Sequence, residues 1–286
     1  MKLNILCIGD VVGRPGRRVL AEKLKGLVID RQIDCVIVNA ENAAGGSGIT
    51  PQINKKLLHY GANLITLGDH AYRKREIVET LETQENIARP ANWSELAAGR
   101  TVALYRTGKG PIVAVVPLIG RLFMKPAECP YNTIDKLLTK IGQQADIIFI
   151  DFHAEATSEK IAMGWHLDGR VSCVFGTHTH IQTADERILP KGTAYITDIG
   201  MTGAHESVIG RGVESVLKSF RTRMPVPFEV ATGDVKINAV LVTVDSSTKK
   251  AEHIERVRID AAPDTSAETT KYDSDDGKPE YYNNFE

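Results

Sequence analysis

The sequence predicts a layered α/β domain in which two sheets pack between helices. Three observations carry this reading. Short apolar runs with β-branched content recur along the chain, and most end in small or polar residues, as strands buried on both faces do. Amphipathic segments at helical spacing lie between several of them. The first units read strand, helix, strand over residues 3–40, which implies a right-handed parallel crossover.

Taken in order, "LNILCIG" (3–9) is a continuous apolar run of strand length, and "PGRRVLAEKLKGLVIDRQ" (15–32) is a helix with Pro15 near its start. "CVIVNA" (35–40) is the second strand. "NKKLLHYG" (54–61) is a helix closed by Gly61 as C-cap. The runs "NLITLG" (63–68), "TVALY" (101–105) and "IVAVVPL" (112–118) read as strands, and "YNTIDKLLTKIGQQ" (131–144) reads as a helix. "DIIFIDF" (146–152), "VSCVFGT" (171–177) and "TAYITDIG" (193–200) are further strands, followed by the helix "VESVLKSFRTR" (213–223) and the strand "AVLVTV" (239–244). The α/β domain spans residues 1–260. From Ala261 the chain turns polar, acidic and poor in aliphatic residues, so 261–286 is expected to be a disordered tail.

A hydrophobic share of 42% and a charged share of 25% are those of an ordinary soluble protein. The formal net charge of −1 gives no general drive toward nucleic acid or membrane. No apolar run is long enough to span a bilayer, and the N-terminal run is too brief for a signal peptide. A cytoplasmic protein with no membrane partner is the expectation. Cys7, Cys35 and Cys173 each sit inside an apolar run, and no CxxC pair occurs. They are expected to be buried reduced thiols, not metal ligands.

In open α/β sheets the working site lies beyond the carboxyl ends of the strands. Asp10 follows the first run, Glu41 and Asn42 the second, and Asp69 and His70 the "NLITLG" run. His153 and Glu155 follow "DIIFIDF", and His178 and His180 follow "VSCVFGT". Each alone has a bland explanation. Asp10 can cap a turn or helix, "NAENAAGGSG" can be a loop of Asx turns, and a lone histidine is more often structural. "GTHTH" is stronger, because two histidines at i, i+2 on an extended segment point the same way. His59, His166, His205 and His253 lack such a setting.

Together these oxygen and imidazole donors suit first-row metals and are too many for one tetrahedral zinc. They fit two metal ions about 3.5–4 Å apart with a shared carboxylate and hydroxide, a pairing suited to phosphate ester hydrolysis. Softer expectations attach to other residues. Gly13 and Gly16 can let the backbone approach a phosphate, while Arg14 and Arg17 belong to a solvated helix face, with contact to substrate phosphate as the alternative. Thr179 shapes its loop, and Asp151 and Glu155 are either partners that orient histidines or surface groups. Tyr72 and Tyr195 pack in the core or rim, with stacking on a base as the alternative. "GRPGRR" matches neither a P-loop nor a Rossmann fingerprint.

The segments "IGDVVGRPGRR", "VNAENAAGG" and "LGDHAY", and the long stretch from "DFHAEATSEK" through "GTHTHIQTADERIL" to "TDIGMTG", resemble the YmdB-like metallophosphoesterases, a bacterial branch of the calcineurin-like phosphoesterase superfamily. The likeness covers about residues 1–260 and leaves out the acidic tail. It implies a four-layer α/β/β/α sandwich and a binuclear centre, usually of iron, with manganese or zinc as alternatives. It implies phosphodiesterase activity on cyclic nucleotides such as 2′,3′-cyclic AMP or on small phosphodiesters. By the resemblance, Asp10, Glu41, Asn42 and His180 hold one metal, Glu41 bridges, and Asp69, His153 and His178 complete the second. A bridging hydroxide attacks phosphorus, and His70, beside the metals but not a ligand, is the general acid.

One position departs from that pattern. The family normally has asparagine where this chain has Asp69. The extra negative charge would favour a ferric ion or lower the Lewis acidity of the pair, and a nearby anion would favour a protonated His70; the alternative is a tolerated swap with unchanged ligation. Two other readings stand beside the phosphodiesterase. One is a nucleotide- or RNA-sensing module with vestigial catalysis, which Asp69 keeps open; the other is a metal-dependent amidase or peptidase. RNA and a homo-oligomer of the chain remain open as partners.

Overall fold

The computed structural model describes residues 1–261. The segment expected to be a disordered tail lies, from residue 262 on, outside the described residues.

The chain lays down most of one sheet, then a second, and returns to complete the first. The early strands are β1 (Lys2–Ile8), β2 (Asp10–Val11), β3 (Cys35–Asn39), β4 (Leu64–Thr66) and β5 (Ile87–Ala88). The second sheet follows as β6 (Ala103–Arg106), β7 (Ile112–Ile119), β8 (Ile147–His153), β9 (Cys173–Thr177), β10 (Arg187–Ile188) and β11 (Ala194–Ile196). The first sheet is completed by β12 (Met201–Ala204), β13 (Val235–Asp245) and β14 (Ala251–Asp260). Its order is β2-β12-β13-β1-β3-β4-β5, with β14 paired to β13; the second runs β10-β11-β9-β8-β7-β6. The helices are α1 (Gly13–Asp30), α2 (Pro51–Tyr60), α3 (Val78–Thr83), α4 (Pro130–Ile141), α5 (Thr157–Leu167) and α6 (Val213–Thr222).

The period-two alternation of the strands sorts their side chains into layers. From β1, Leu3, Ile5 and Cys7 point between the sheets, where they meet Phe149 and Cys173 of the second sheet. Leu6 and Ile8 point outward to Leu20 and Leu24 of α1 and Ile53 and Leu57 of α2. In the second sheet, Val113 and Val115 face the inner core, while Ala114 and Val116 pack with Ile134 of α4 and Met163 and Leu167 of α5. The result is the four-layer α/β/β/α sandwich expected above. Cys7, Cys35 and Cys173 are buried free thiols in its middle layer.

The central strands run parallel within each sheet: β1 with β3, β3 with β4, β7 with β8 and β8 with β9. Their carboxyl ends therefore share one edge of each sheet. Several details differ from the sequence reading, which has no counterpart of β2, β5, β10, β12, β14 or α3. The strand at 193–200 stops at Ile196. Helix α5 has no counterpart there, because its buried face carries Glu159, Lys160 and Gly164 beside Met163 and Leu167 and so masks the apolar period. Arg17 is not on a solvated face: it is buried and donates to the Ala43 carbonyl of the loop after β3, whereas Arg14 is exposed.

Candidate metal centre

Five strand ends deliver the predicted residues to one place. Asp10 enters from β2, just beyond β1; it caps no helix, since the N-cap of α1 is Val12. Glu41 and Asn42 follow β3, Asp69 and His70 follow β4, His153 is the last residue of β8, and His178 and His180 follow β9. Glu41, Asp69, His153 and His178 each present a ligand atom within 4.8 Å of the others. Glu41 Oε2 and Asp69 Oδ1 lie 3.2 and 3.1 Å from His153 Nε2, which is 3.0 Å from His178 Nδ1.

Asp10, Asn42 and His180 form the adjoining group. His180 Nε2 is 3.2 Å from Asn42 Nδ2 and 3.8 Å from Asp10 Oδ1, and Asn42 Nδ2 donates to Glu41 Oε1 at 3.0 Å. Asp10 Oδ2 accepts from the His178 backbone N–H, while its Oδ1 is buried without a hydrogen-bond donor.

Each imidazole is anchored through one nitrogen and offers the other to the carboxylates. Thr177 donates its hydroxyl to Asp151 Oδ1, so its oxygen accepts from His153 Nδ1 at 2.9 Å and leaves His153 Nε2 facing the cluster. The buried Asp151 also accepts from Thr66 and Asn39. His178 Nε2 lies 3.2 Å from a Glu155 carboxylate oxygen. His180 Nδ1 donates to the Ile209 carbonyl at 2.9 Å. Such outer partners fix the tautomer and aim of a ligating histidine. Asp151 is thus an orienting partner through Thr177, while Glu155 is an ion-pair neighbour of His178.

The two histidines of "GTHTH" do not lie on an extended segment. The strand ends at Thr177, and His178 and His180 adopt left-handed backbone with φ of 96° and 66°. This strained turn sends His178 toward His153 and His180 toward Asp10. Asp198, which the sequence reading passed over, holds it down. Its Oδ2 accepts from Thr179 N at 3.2 Å, Thr179 Oγ1 at 2.7 Å and the buried Lys160 Nζ at 2.7 Å. Asp198 follows an apolar run as the other site residues do, and the same rule could have found it. The Ile209 carbonyl carries no side-chain signal at all.

Gly68 is required by the crowding. A Cβ there would stand 2.1 Å from Glu41 Oε2 and 2.5 Å from His153 Nε2. Since β4 ends at Thr66, Asp69 and His70 sit in a turn, not on a strand. Asp69 faces the cluster, and His70 lies at its edge, 21% exposed, with Nδ1 2.8 Å from Asn42 Oδ1 and Nε2 3.7 Å from Asp69 Oδ2.

The electrostatics call for a cation. Burial pushes Asp10 well above the carboxylate range, with Glu41 adding to the rise. For Glu41 and Asp69 burial acts the same way but is outweighed by His153 and His70, which hold both ionised. Burial disfavours a charged His153, yet Glu41 and Asp69 prevail and raise it well above the usual value. A proton drawn into the centre of three carboxylates marks where positive charge belongs, and a metal ion there would return His153 to its neutral, ligating form. Burial and the neighbouring His153 push His178 down to about 4. Burial likewise lowers His180, so both are ready to ligate as neutral imidazoles.

Tyr195 is buried, with its hydroxyl on Thr197. Tyr72 stacks on Trp93 at 5.5 Å and donates to the Ala98 carbonyl. His59 and His253 are exposed, His166 pairs with Asp135, and His205 bonds Asn238. Among the described residues no helix is long and apolar enough to cross a membrane.

Comparison with known proteins places the chain in a family. The chain is 46% identical over 257 residues to a 2′,3′-cyclic-nucleotide 2′-phosphodiesterase of Bacillus subtilis (strain 168), covering 90% of this chain and 97% of that one. A crystal structure of a hypothetical protein from Thermus thermophilus superposes with a TM-score of 0.85 at 38% identity, covering 91% of this chain and all of that one. A structure described as a novel phosphatase, from Mycoplasma pneumoniae, does so with a TM-score of 0.85 at 34% identity, covering 91% and 94%. The family model described as YmdB-like protein matches residues 6–257, and the chain belongs to that family.

Proposed function

We propose that the chain is a metal-dependent phosphoric diester hydrolase that opens 2′,3′-cyclic nucleotides at a two-metal centre. The observation that carries this is the convergence of three carboxylates, one with an orphaned buried oxygen, and three imidazoles each anchored through its far nitrogen. The similarity to a 2′,3′-cyclic-nucleotide 2′-phosphodiesterase supports the substrate class.

Asp10, Asn42 and His180 would hold one ion, Asp69, His153 and His178 the other, with Glu41 between them. When bound, such a pair neutralises phosphoryl oxygens and supplies a hydroxide nucleophile from water at neutral pH. Iron is the metal the family resemblance suggests, with manganese or zinc as alternatives that the same oxygen and imidazole donors accept. The residues around it do the rest. Thr177 and Asp151 keep His153 in one tautomer, and Asp198 and Lys160 hold the turn that aims His178 and His180. As the P–O bond to the sugar breaks, its electron pair goes to the leaving oxygen, and His70 hands that oxygen a proton. The site of action is read as the cytoplasm.

The test is metal analysis of protein purified anaerobically from iron-replete cells, with turnover assayed on 2′,3′-cyclic AMP and bis-p-nitrophenyl phosphate. Two metals per chain and metal-dependent turnover of the cyclic nucleotide are expected. His70→Ala should keep its metal and lose about 10²- to 10⁴-fold in kcat, the usual worth of a general acid. Absence of stoichiometric metal would overturn the site, and full activity of His70→Ala would remove its role.

A further inference from the structure

The loop after β7 carries a feature that the metal centre does not use. Ile119, the last residue of β7, pairs in register with His153, and Gly120 N donates to the His153 carbonyl at 3.0 Å. The loop therefore leaves the sheet beside the candidate metal centre. Its first turn is a built structure. The buried Glu159 carboxylate of α5 accepts from Arg121 N at 2.9 and 3.0 Å and from Leu122 N at 3.3 Å. A Cβ at Gly120 would stand 2.5 Å from Ala154 Cβ and 2.6 Å from Glu159 Oε2, so only glycine lets the turn seat this deeply. Asn92 ties the two ends together. It accepts from Ile119 N at 2.8 Å and donates to the carbonyls of Ile119 and Glu128 at 2.8 and 2.9 Å.

At the tip of this anchored loop two apolar side chains face water: Leu122 is 50% and Phe123 89% exposed. Phe123 also has a φ of 61°, in the left-handed region, where a bulky L-residue is strained. Exposing the ring forgoes its burial energy, and holding it left-handed adds a cost, so core packing accounts for neither. The other aromatics raised as base partners are engaged: Tyr195 is buried, and Tyr72 lies against Trp93, the neighbour of Asn92.

We propose that Phe123, with Leu122 beside it, is a nucleobase-binding subsite at the rim of the metal centre, stacking on the base of the cyclic nucleotide. This rests on the phosphodiesterase reading above, and it adds the element that selects a nucleoside over a bare phosphodiester. The ligand is an unpaired base, which offers a flat π-face to an aromatic ring without demanding a particular hydrogen-bond code. The Glu159 and Asn92 anchors hold the backbone on both sides of Phe123 before substrate arrives, which lowers the ordering required on binding.

The experiment compares wild type, Phe123→Ala, Phe123→Gly and Phe123→Trp, metal-loaded, on 2′,3′-cyclic AMP and on base-free ribose 2′,3′-cyclic phosphate. Equilibrium titration with 3′-AMP and thermal denaturation accompany the kinetics. For Phe123→Ala, KM for cyclic AMP and Kd for 3′-AMP should rise about 5- to 100-fold, the range one base–aromatic stack gives. Turnover of the base-free substrate should not change, and Phe123→Trp should restore binding. Phe123→Gly should bind as weakly as Phe123→Ala yet melt no lower than wild type, because glycine relieves the left-handed strain. Equal losses on both substrates, or unchanged 3′-AMP affinity, would overturn the subsite. If wild type hydrolyses neither substrate, the phosphodiesterase reading falls, and the 3′-AMP titration still decides the subsite by itself.

Discussion

At the scale of single residues, Asp69 holds the sharpest question. Its carboxylate stands 3.1 Å from His153 Nε2 and 3.8 Å from His178 Nδ1, where an asparagine carbonyl could ligate as well. The extra charge is thus set within the donor cluster itself, where it opposes the Lewis acidity of bound metal. Asp69→Asn should therefore keep both metals and change turnover, upward by about 2- to 10-fold if one charge weakly damps the centre. Metal content, pH–rate profile and kcat measured together decide it, and identity in all three would show the charge to be inert. The ligand types at 10, 41, 42, 69, 153, 178 and 180 were legible in the sequence because each follows an apolar run. What was not legible is how they point. His178 and His180 reach different neighbours through left-handed turns, and alternation along a strand carries no information about a turn.

At the scale of elements, the site depends on segments that supply no ligand. Helix α5 contributes Lys160, whose ammonium pairs with Asp198 under the "GTHTH" turn, and both side chains are essentially buried, at 2% and 0% exposed. Removing one partner of such a pair leaves a buried charge unmatched, at about 3–5 kcal/mol, and frees the strained turn. Lys160→Met should therefore lower the melting temperature and also weaken metal binding by about 10- to 100-fold, as loss of an orienting partner does. Metal titration of the folded variant, well below its melting point, separates the two effects; unchanged affinity would make the pair a stability device alone. Helix α5 escaped the sequence reading for the same reason that it matters. Its buried face carries Glu159 and Lys160, and Glu159 holds the Phe123 loop, so polar residues broke the apolar period on which helix recognition relies. Strands β1, β3, β7, β8 and β9, buried on both faces, were legible almost to the residue.

At the scale of the whole molecule, the centre lies where two sheets meet, and the layer between them must hold its spacing. Asp10, Glu41 and Asp69 come from the first sheet and His153, His178 and His180 from the second. Phe149 fills the inter-sheet layer on β8, four residues before His153. Phe149→Ala should cost about 3–5 kcal/mol through lost burial and the cavity left behind, read as a fall in denaturation midpoint. Bound metal should recover part of it, since a ligand that binds only the folded state stabilises it by mass action. No recovery on saturation with metal would mean that the sheets no longer bring their ligands together. The sequence by itself determined the layers, the parallel order of the early strands and the residue types that meet at the candidate centre, because apolar period and strand-end chemistry are local properties of the chain. Only the tertiary structure decided which imidazole faces which carboxylate, which polar groups anchor them from behind, and that Phe123 is exposed on the loop that leaves β7 beside His153. Those depend on backbone turns and on contacts between residues more than a hundred positions apart, such as Asn39 with Asp151 and Asp10 with His178, which no local pattern encodes.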